Sequence, residues 1–138
     1  MMERSLLDLI YRLKQGCLED ESKIRTSCRV SVAEYKGIIE IDIKEQVTCN
    51  ALSQKMGLSP SRGSRIIDGL VRKGYFTRNT NPGDRRSYVI SLSSEGARVK
   101  RQIEAERRRC EARIRQRFSE RQIESLKEAL DLITDIFE

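Results

Sequence analysis

Apolar side chains recur at helical spacing through most of the chain. In the N-terminal stretch, Leu6, Ile10 and Leu13 are spaced four and three residues apart, which predicts an amphipathic helix. The segment LEDESK that follows is acidic and predicts a solvated loop, but the apolar stripe continues through Cys17, Ile24 and Cys28, so the helix can also run on to residue 28. The sequence SVAE, which begins at Ser31, is a capping box, in which the serine and glutamate side chains satisfy free backbone amides. A second helix is therefore predicted to begin there.

Residues 48–73 show two short helical patterns around a glycine-centred turn. Thr48 can cap the first helix, and Gly57 ends it as a left-handed cap would. Ser59 followed by Pro60 marks the start of the second helix, because serine accepts from first-turn amides and proline needs no amide partner at that position. This layout predicts a helix-turn-helix, the motif whose second helix enters the major groove of DNA.

The second helix of this pair has an apolar side and a polar outer side. Ser61, Gly63 and Ser64 are small, which suits close approach to a duplex. Arginine can make two hydrogen bonds to guanine and so discriminates by about 1–3 kcal/mol. A solvated basic helix in an ordinary bundle is the alternative, but the caps, the turn and the basic face occur together at helix-turn-helix spacing. The candidate DNA contacts are Ser61, Arg62, Ser64 and Arg65.

Two strand-like runs, residues 75–77 and 87–92, flank the polar sequence NTNPGD. They predict a β-hairpin with a long loop. The tip carries Arg85 and Arg86, whose guanidinium groups would gain from the negative potential of a narrow minor groove. Directly after a recognition-type helix, such a hairpin is interpreted as a DNA-binding wing; a solvated turn is the alternative.

The C-terminal part predicts two more helices, each with a narrow apolar seam. The first, from Ser94 to Phe118, has a basic face over residues 98–117, and the second has a heptad seam over residues 119–138. One small domain cannot bury both seams, so a second copy of the chain is predicted to cover them. The predicted dimer interface consists of Leu6, Ile10, Leu13, Ile103, Ile114, Ile123, Leu126, Leu130, Ile133 and Phe137.

Charge and composition narrow the classes of function. The chain has 27 Lys and Arg against 21 Asp and Glu, a net charge of +6 that favours a polyanionic partner. No apolar run of about 18 residues and no signal-peptide pattern occur, which predicts a cytoplasmic protein with no membrane partner. With no histidine, no convincing pair of acids and no glycine-rich phosphate loop, the chain is not expected to be an enzyme.

The cysteines raise a separate hypothesis. Cys17 and Cys28 flank the acidic segment and Cys49 begins the helix-turn-helix, so a fold returning the first helix over the third would join them as a thiolate metal site or a redox switch. The spacing between the first two is not a ligand signature, and free cysteine is among the most buried residue types. Structural thiols without a cofactor are the favoured interpretation, and sensing stays the alternative.

The stretches LSPSRGSRIIDGLVRKGYFTR, PGDRRS and ISLSSEG together resemble the multiple-antibiotic-resistance regulator (MarR) family of bacterial winged helix-turn-helix repressors, over about residues 31–118. The resemblance implies an α+β, mostly helical fold, with a DNA-binding lobe at 31–93 between dimerisation segments at 1–30 and 94–138. It also implies a homodimeric transcriptional regulator that binds a pseudo-palindromic operator in double-stranded DNA. An unidentified small-molecule or redox effector would release it.

Carried over position by position, the resemblance assigns roles to individual residues. Ser61, Arg62, Ser64 and Arg65 match the recognition-helix contacts, and Arg86 matches the arginine at the wing tip. Asp84 matches a residue that orders the wing by pairing with a nearby arginine, Arg78 or Arg86. Two alternatives stay open: a thiol- or metal-sensing regulator, and a helical interaction module that uses the basic face over 98–117 without reading DNA sequence.

Overall fold

The computed structural model describes residues 3–138, which form six helices and one three-stranded antiparallel sheet. This is the mostly helical α+β class that the sequence predicts. The elements are α1 (Leu6–Cys28), α2 (Val32–Ile39), β1 (Val47–Thr48), α3 (Cys49–Lys55), α4 (Pro60–Arg72), β2 (Phe76–Asn81), β3 (Asp84–Leu92), α5 (Ser94–Arg115) and α6 (Glu120–Ile136).

The chain forms two compact units, one running through Ile103 and the other comprising Glu104–Glu138. The boundary between them lies within α5. The predicted boundaries after residues 30 and 93 separate a DNA-binding lobe from dimerisation segments, whereas the two compact units are defined by contacts within the chain. The functional boundaries therefore stay predictions. Among the described residues, no helix is both long and apolar enough to cross a membrane.

The predicted acidic loop is wrong, and the continuation of the first helix to residue 28 is confirmed. Residues 18–23 lie inside α1, which runs unbroken from Leu6 to Cys28. Glutamate and lysine are good helix formers, and charged side chains one turn apart also stabilise a helix. Arg25 pairs with Glu21 four residues earlier at 3.3 Å. The acidic stretch therefore extends the helix instead of ending it.

The β-hairpin has longer strands and a shorter loop than predicted. β2 and β3 pair directly, so that only Pro82 and Gly83 connect them. A register shift between Thr80 and Asn81 lets the polar end of β2 join the ladder. β1 pairs with the other edge of β3, which places β3 at the centre of the sheet. Polar side chains do not prevent this pairing, because the ladder uses only backbone groups.

The hydrophobic core gathers apolar side chains from the helices and the sheet of the first unit, and the fully buried ones include Ile38, Leu52, Ile67 and Ile90. Ile103 also belongs to this core and is 1% exposed. It was predicted to lie in the dimer interface, and that assignment is wrong because its side chain is already covered within one chain.

Ile123 of α6 is buried in the single chain as well, at 6% exposure, so it too leaves little surface for a partner. The other predicted interface residues keep accessible surface. Leu6, at 69%, is among the most exposed of them. Leu6, Leu13, Ile114, Leu126, Leu130 and Phe137 are exposed, and Ile10 and Ile133 are half-buried.

Two charged side chains, Lys100 and Glu34, form hydrogen bonds at the two ends of α2. Lys100 of α5 is 3% exposed, and its ammonium group donates to the backbone carbonyls of Ile39, the last residue of α2, and of Ile41, which lies beyond the helix. A cation at the carboxyl end of a helix satisfies carbonyls that lack helical partners and is favoured by the helix dipole. Glu34 of α2 is buried and accepts hydrogen bonds from the Lys73 ammonium group at 2.6 Å and from the Ser31 amide at 2.9 Å.

The stability of the fold should fall at acidic pH through Glu34. Burial alone raises the pKa of Glu34, but the hydrogen bonds from Lys73 and Ser31 outweigh it, so that its pKa lies below the usual value. A glutamate in an unfolded chain has a pKa of about 4.3. The stabilisation is therefore complete above that pH and is lost as the pH falls through the folded-state pKa.

The variants Glu34→Gln and Lys73→Gln test this expectation. Each should lower the free energy of unfolding at pH 7 by about 1.5–3 kcal/mol, the usual contribution of a hydrogen bond to a charged group. Each should also flatten the dependence of stability on pH below about 5, measured by urea denaturation. Variants as stable as the parent chain, with the same pH profile, would contradict the assigned role.

Candidate nucleic-acid interface

The helix-turn-helix has the predicted boundaries because its caps work as local signals. The Thr48 hydroxyl accepts from the Ala51 amide at 3.2 Å at the start of α3, and the Ser59 hydroxyl accepts from the Arg62 amide at 3.3 Å at the start of α4. Between the helices, Gly57 has φ 69, a left-handed conformation that glycine adopts without strain.

Gly63 faces the supporting helix α3, not the outer surface of α4. A Cβ atom added at Gly63 would lie 1.9 Å from the Ser53 Oγ and 2.4 Å from the Ser53 Cβ. The prediction that Gly63 eases approach to DNA is therefore wrong. The missing side chain lets α3 and α4 approach each other closely, which sets the geometry of the motif.

The outer face of α4 carries the residues predicted to contact DNA. Ser61, Arg62 and Arg65 are exposed, and Ser64 is half-buried. Neither arginine forms an ion pair within residues 3–138, so both guanidinium groups are available to a ligand. All four lie in the first two turns of α4, where the positive end of the helix dipole also favours an anion.

The wing is ordered by backbone contacts at its tip. The Asp84 carboxylate accepts from the backbone amide of Arg86 at 2.9 Å, and the Asn81 side chain accepts from the Gly83 amide at 3.0 Å. The implied pairing of Asp84 with the side chain of Arg78 or Arg86 is wrong, because an aspartate readily bonds an amide two residues ahead. Arg85 and Arg86 are left exposed.

Arg78 has a different partner from the one predicted. Its guanidinium group bonds the carboxylate of Asp68, on the recognition helix α4, and lies 5.5 Å from the centre of the Tyr88 ring. The predictions from the sequence gave Asp68 no role. Its position one turn after Arg65 places Asp68 on the same face of α4, but nothing in the sequence indicates a contact with β2.

The basic face of α5 is partly neutralised by acidic neighbours on the same helix. Arg98 pairs with Glu95 at 2.5 Å, and Arg115 pairs with Glu111 at 3.7 Å. Lys100 is buried and does not belong to that face. Pairs one turn apart are typical of a solvated helix.

The three candidate sensor cysteines lie in different surroundings. Cys17 is exposed within α1, Cys28 is buried at the end of α1, and Cys49 is half-buried at the start of α3. The first two are about 16 Å apart at 1.5 Å per helical residue, so they cannot bind one ion. Burial raises the pKa of the Cys28 thiol despite the opposing charge of Arg98, which keeps it protonated and less reactive. Over residues 3–138, no group of three or more Cys, Asp or Glu side chains is placed to hold a metal ion.

Comparison with known proteins bears on the same region. Residues 30–88 match the family model described as MarR family. The HTH-type transcriptional regulator PapX of Escherichia coli is 28% identical over 96 residues, which are 68% of this chain and 58% of PapX. The transcriptional repressor MprA of Escherichia coli K12 is 22% identical over 107 residues, 76% of this chain and 61% of MprA. The chain thus spans about three fifths of the length of these relatives.

Among solved structures, that of Streptococcus pneumoniae FabT in complex with DNA superposes with a TM-score of 0.82. The superposition covers 94% of this chain and 92% of FabT, at 21% sequence identity. At that identity the likeness establishes a shared fold.

Proposed function

We propose that this chain, whose residues 30–88 match the MarR family model, regulates transcription by binding double-stranded DNA as a homodimer. Its activity is binding and not catalysis. The observation that carries the proposal is the pair of exposed arginines without ion-pair partners, Arg62 and Arg65, in the first two turns of α4. Beside them on the same lobe is a hairpin with two further exposed arginines at its tip, Arg85 and Arg86.

Each part of this surface has its own role in the proposal. The N-terminal half of α4 enters the major groove, where Arg62 and Arg65 reach base edges or phosphates and Ser61 and Ser64 allow close approach. The wing follows the adjacent minor groove, where the narrow groove attracts the guanidinium groups. Phosphate contacts supply most of the affinity, and base contacts supply the specificity. The FabT structure, which shares this fold, was solved with DNA bound and supports this assignment.

The homodimer follows from exposed apolar side chains on the terminal helices. Leu6 and Leu13 of α1, and Leu126 and Leu130 of α6, are exposed in the single chain. On each of these helices, exposed apolar side chains recur at helical spacing and form a surface that a partner can cover. A dimer would carry two copies of α4 and could read two half-sites about one helical turn of DNA apart.

We extend the proposal to repression in the cytoplasm, relieved by a small-molecule effector. The relative MprA is described as a transcriptional repressor, which supports the direction of control. In this proposal the effector relieves repression by binding better to a dimer whose two lobes no longer match the spacing of the half-sites.

Selection of bound duplexes from a random DNA pool tests the proposed function. We expect a pseudo-palindrome with half-sites about 10 base pairs apart, centre to centre, because a two-fold symmetric dimer reads a two-fold symmetric site. Affinity for the selected duplex should fall steeply with salt, with log K linear in log salt concentration and a slope near −0.9 per phosphate contacted. Enrichment of no motif, with binding that depends on the arginines of α5, would favour the helical interaction module instead.

A further inference from the structure

Three elements of the DNA-binding lobe meet at one ion pair. Asp68 lies on α4, and its carboxylate bonds the guanidinium group of Arg78 on β2. The same guanidinium group lies over the ring of Tyr88 on β3. In the hairpin register Arg78 is opposite Ile90, which makes Tyr88 its diagonal neighbour across the ladder. The cluster therefore joins both strands of the wing to the recognition helix.

Asp68 shares the outer side of α4 with the proposed DNA contacts. It comes three residues after Arg65 and four after Ser64, so it lies one turn further along the same face. Its side chain is 39% exposed and that of Arg78 is 33% exposed. A carboxylate in this position repels a nearby phosphate backbone. A free acidic group here would weaken DNA binding, so its presence needs a compensating role.

Resting on the proposed function, we propose that Asp68 is a positioning residue that sets the wing at a defined angle to the recognition helix through Arg78 and Tyr88. Asp68 does not touch DNA; it holds the base of the hairpin so that Arg85 and Arg86 meet the minor groove while α4 occupies the major groove. The pair joins residues ten positions apart in sequence, on two elements that enter different grooves.

This role differs from a simple contribution to stability or to charge. A half-exposed ion pair adds little to the free energy of unfolding, so breaking it should leave the melting temperature nearly unchanged. If Asp68 acted only through its charge, its neutralisation would remove a repulsion and tighten DNA binding. If Asp68 positions the wing, neutralisation weakens binding. The two roles predict effects of opposite sign.

The test uses the full chain with Asp68→Asn, Arg78→Gln, and the exchanged pair in which Asp68→Arg is combined with Arg78→Asp. Glu95→Gln is the matched control, because it breaks the exposed Glu95–Arg98 pair elsewhere in the first unit. Two measurements are made on each variant. Hydrogen exchange of peptides covering residues 79–87 in the free protein reports wing order, and fluorescence anisotropy with the selected duplex at several salt concentrations reports affinity.

We expect Asp68→Asn to speed exchange in the wing by about fivefold or more. It should weaken DNA binding by about tenfold, because a loosened wing must be ordered during binding. The steepness of the salt dependence should stay the same, since Arg85 and Arg86 still reach the groove in the complex. The exchanged pair should restore slow exchange in the free protein, and Glu95→Gln should match the parent chain in both measurements.

Two results would overturn the proposal: unchanged wing exchange in Asp68→Asn, or binding as tight as that of the parent chain or tighter. If the parent chain selects no DNA motif, the proposed function fails. The exchange measurements on the free protein then still decide whether Asp68 orders the wing.

Discussion

Replacing Arg65 by alanine should weaken binding to the selected DNA site by about 1–3 kcal/mol per half-site, or roughly 5- to 150-fold per contact. Arg65 is exposed on α4 and has no ion-pair partner within the described residues, so its guanidinium group is free to bond base edges or phosphates. Arg86→Ala at the wing should also weaken binding, by removing a cation from the minor groove. Neither variant should lower the melting temperature measurably, because neither side chain packs in the core.

The matched control is Arg108→Ala, which removes the same charge from an exposed position on α5. Anisotropy titrations with the selected duplex and with a scrambled duplex distinguish a loss of sequence-specific contacts from a general loss of positive charge. Arg65→Ala should lose affinity mainly for the selected duplex, whereas Arg108→Ala should bind both like the parent chain. Full affinity in both Arg65→Ala and Arg86→Ala would refute the site assignment, and a larger loss in Arg108→Ala would favour the helical interaction module.

Gly63→Ala should destabilise the protein by about 1–3 kcal/mol, the usual cost of inserting a methyl group into a closely packed contact. The added Cβ would overlap Ser53 on α3, including its Cβ at 2.4 Å, which a rotation of the serine hydroxyl does not relieve. The two helices must therefore move apart. Because α3 supports α4, DNA affinity should fall together with the free energy of unfolding measured by urea denaturation.

Gly16→Ala is the control for this prediction. Gly16 also lies inside a helix, but an added Cβ there meets no atom within 4 Å. It should stabilise the protein by about 0.5–1 kcal/mol, since alanine favours a helix interior over glycine. Combining Gly63→Ala with Ser53→Gly should recover part of the lost stability, because the overlapping Cβ and Oγ are removed. A Gly63→Ala variant as stable as the parent chain would show that the helices are not in close contact.

Local signals account for the parts of the fold that were predicted correctly. The side chain of a capping serine or threonine accepts a hydrogen bond from an amide two or three residues away. Thr48 and Ser59 therefore mark the starts of α3 and α4 independently of the rest of the fold. The same holds for Ser31 and Ser119, whose capping boxes begin α2 and α6. For the same reason, the exposed arginines of α4 could be placed on one face from spacing alone.

Predictions were wrong where a contact joins residues far apart in sequence, or where the outcome depends on how deeply a side chain is buried in the folded chain. Gly63 faces inward because α3 packs against that side of α4. Arg78 has its partner, Asp68, on α4. The burial of Ile103 depends on how far the first unit extends along α5. Hydrophobic periodicity identifies an apolar stripe but cannot say whether the same chain or a partner covers it.

By itself, the sequence determined that a capped helix-turn-helix with a basic outer face is followed by a polar hairpin, because caps, turns and helical faces depend on residues a few positions apart. Only the tertiary structure decided how those two parts are joined. Asp68 and Arg78 meet because the hairpin folds back beside α4, and that contact has no signature in spacing or composition. The residues proposed to contact DNA could be predicted from their type and spacing in the sequence. The ion pair proposed to orient them could be identified only from the tertiary structure.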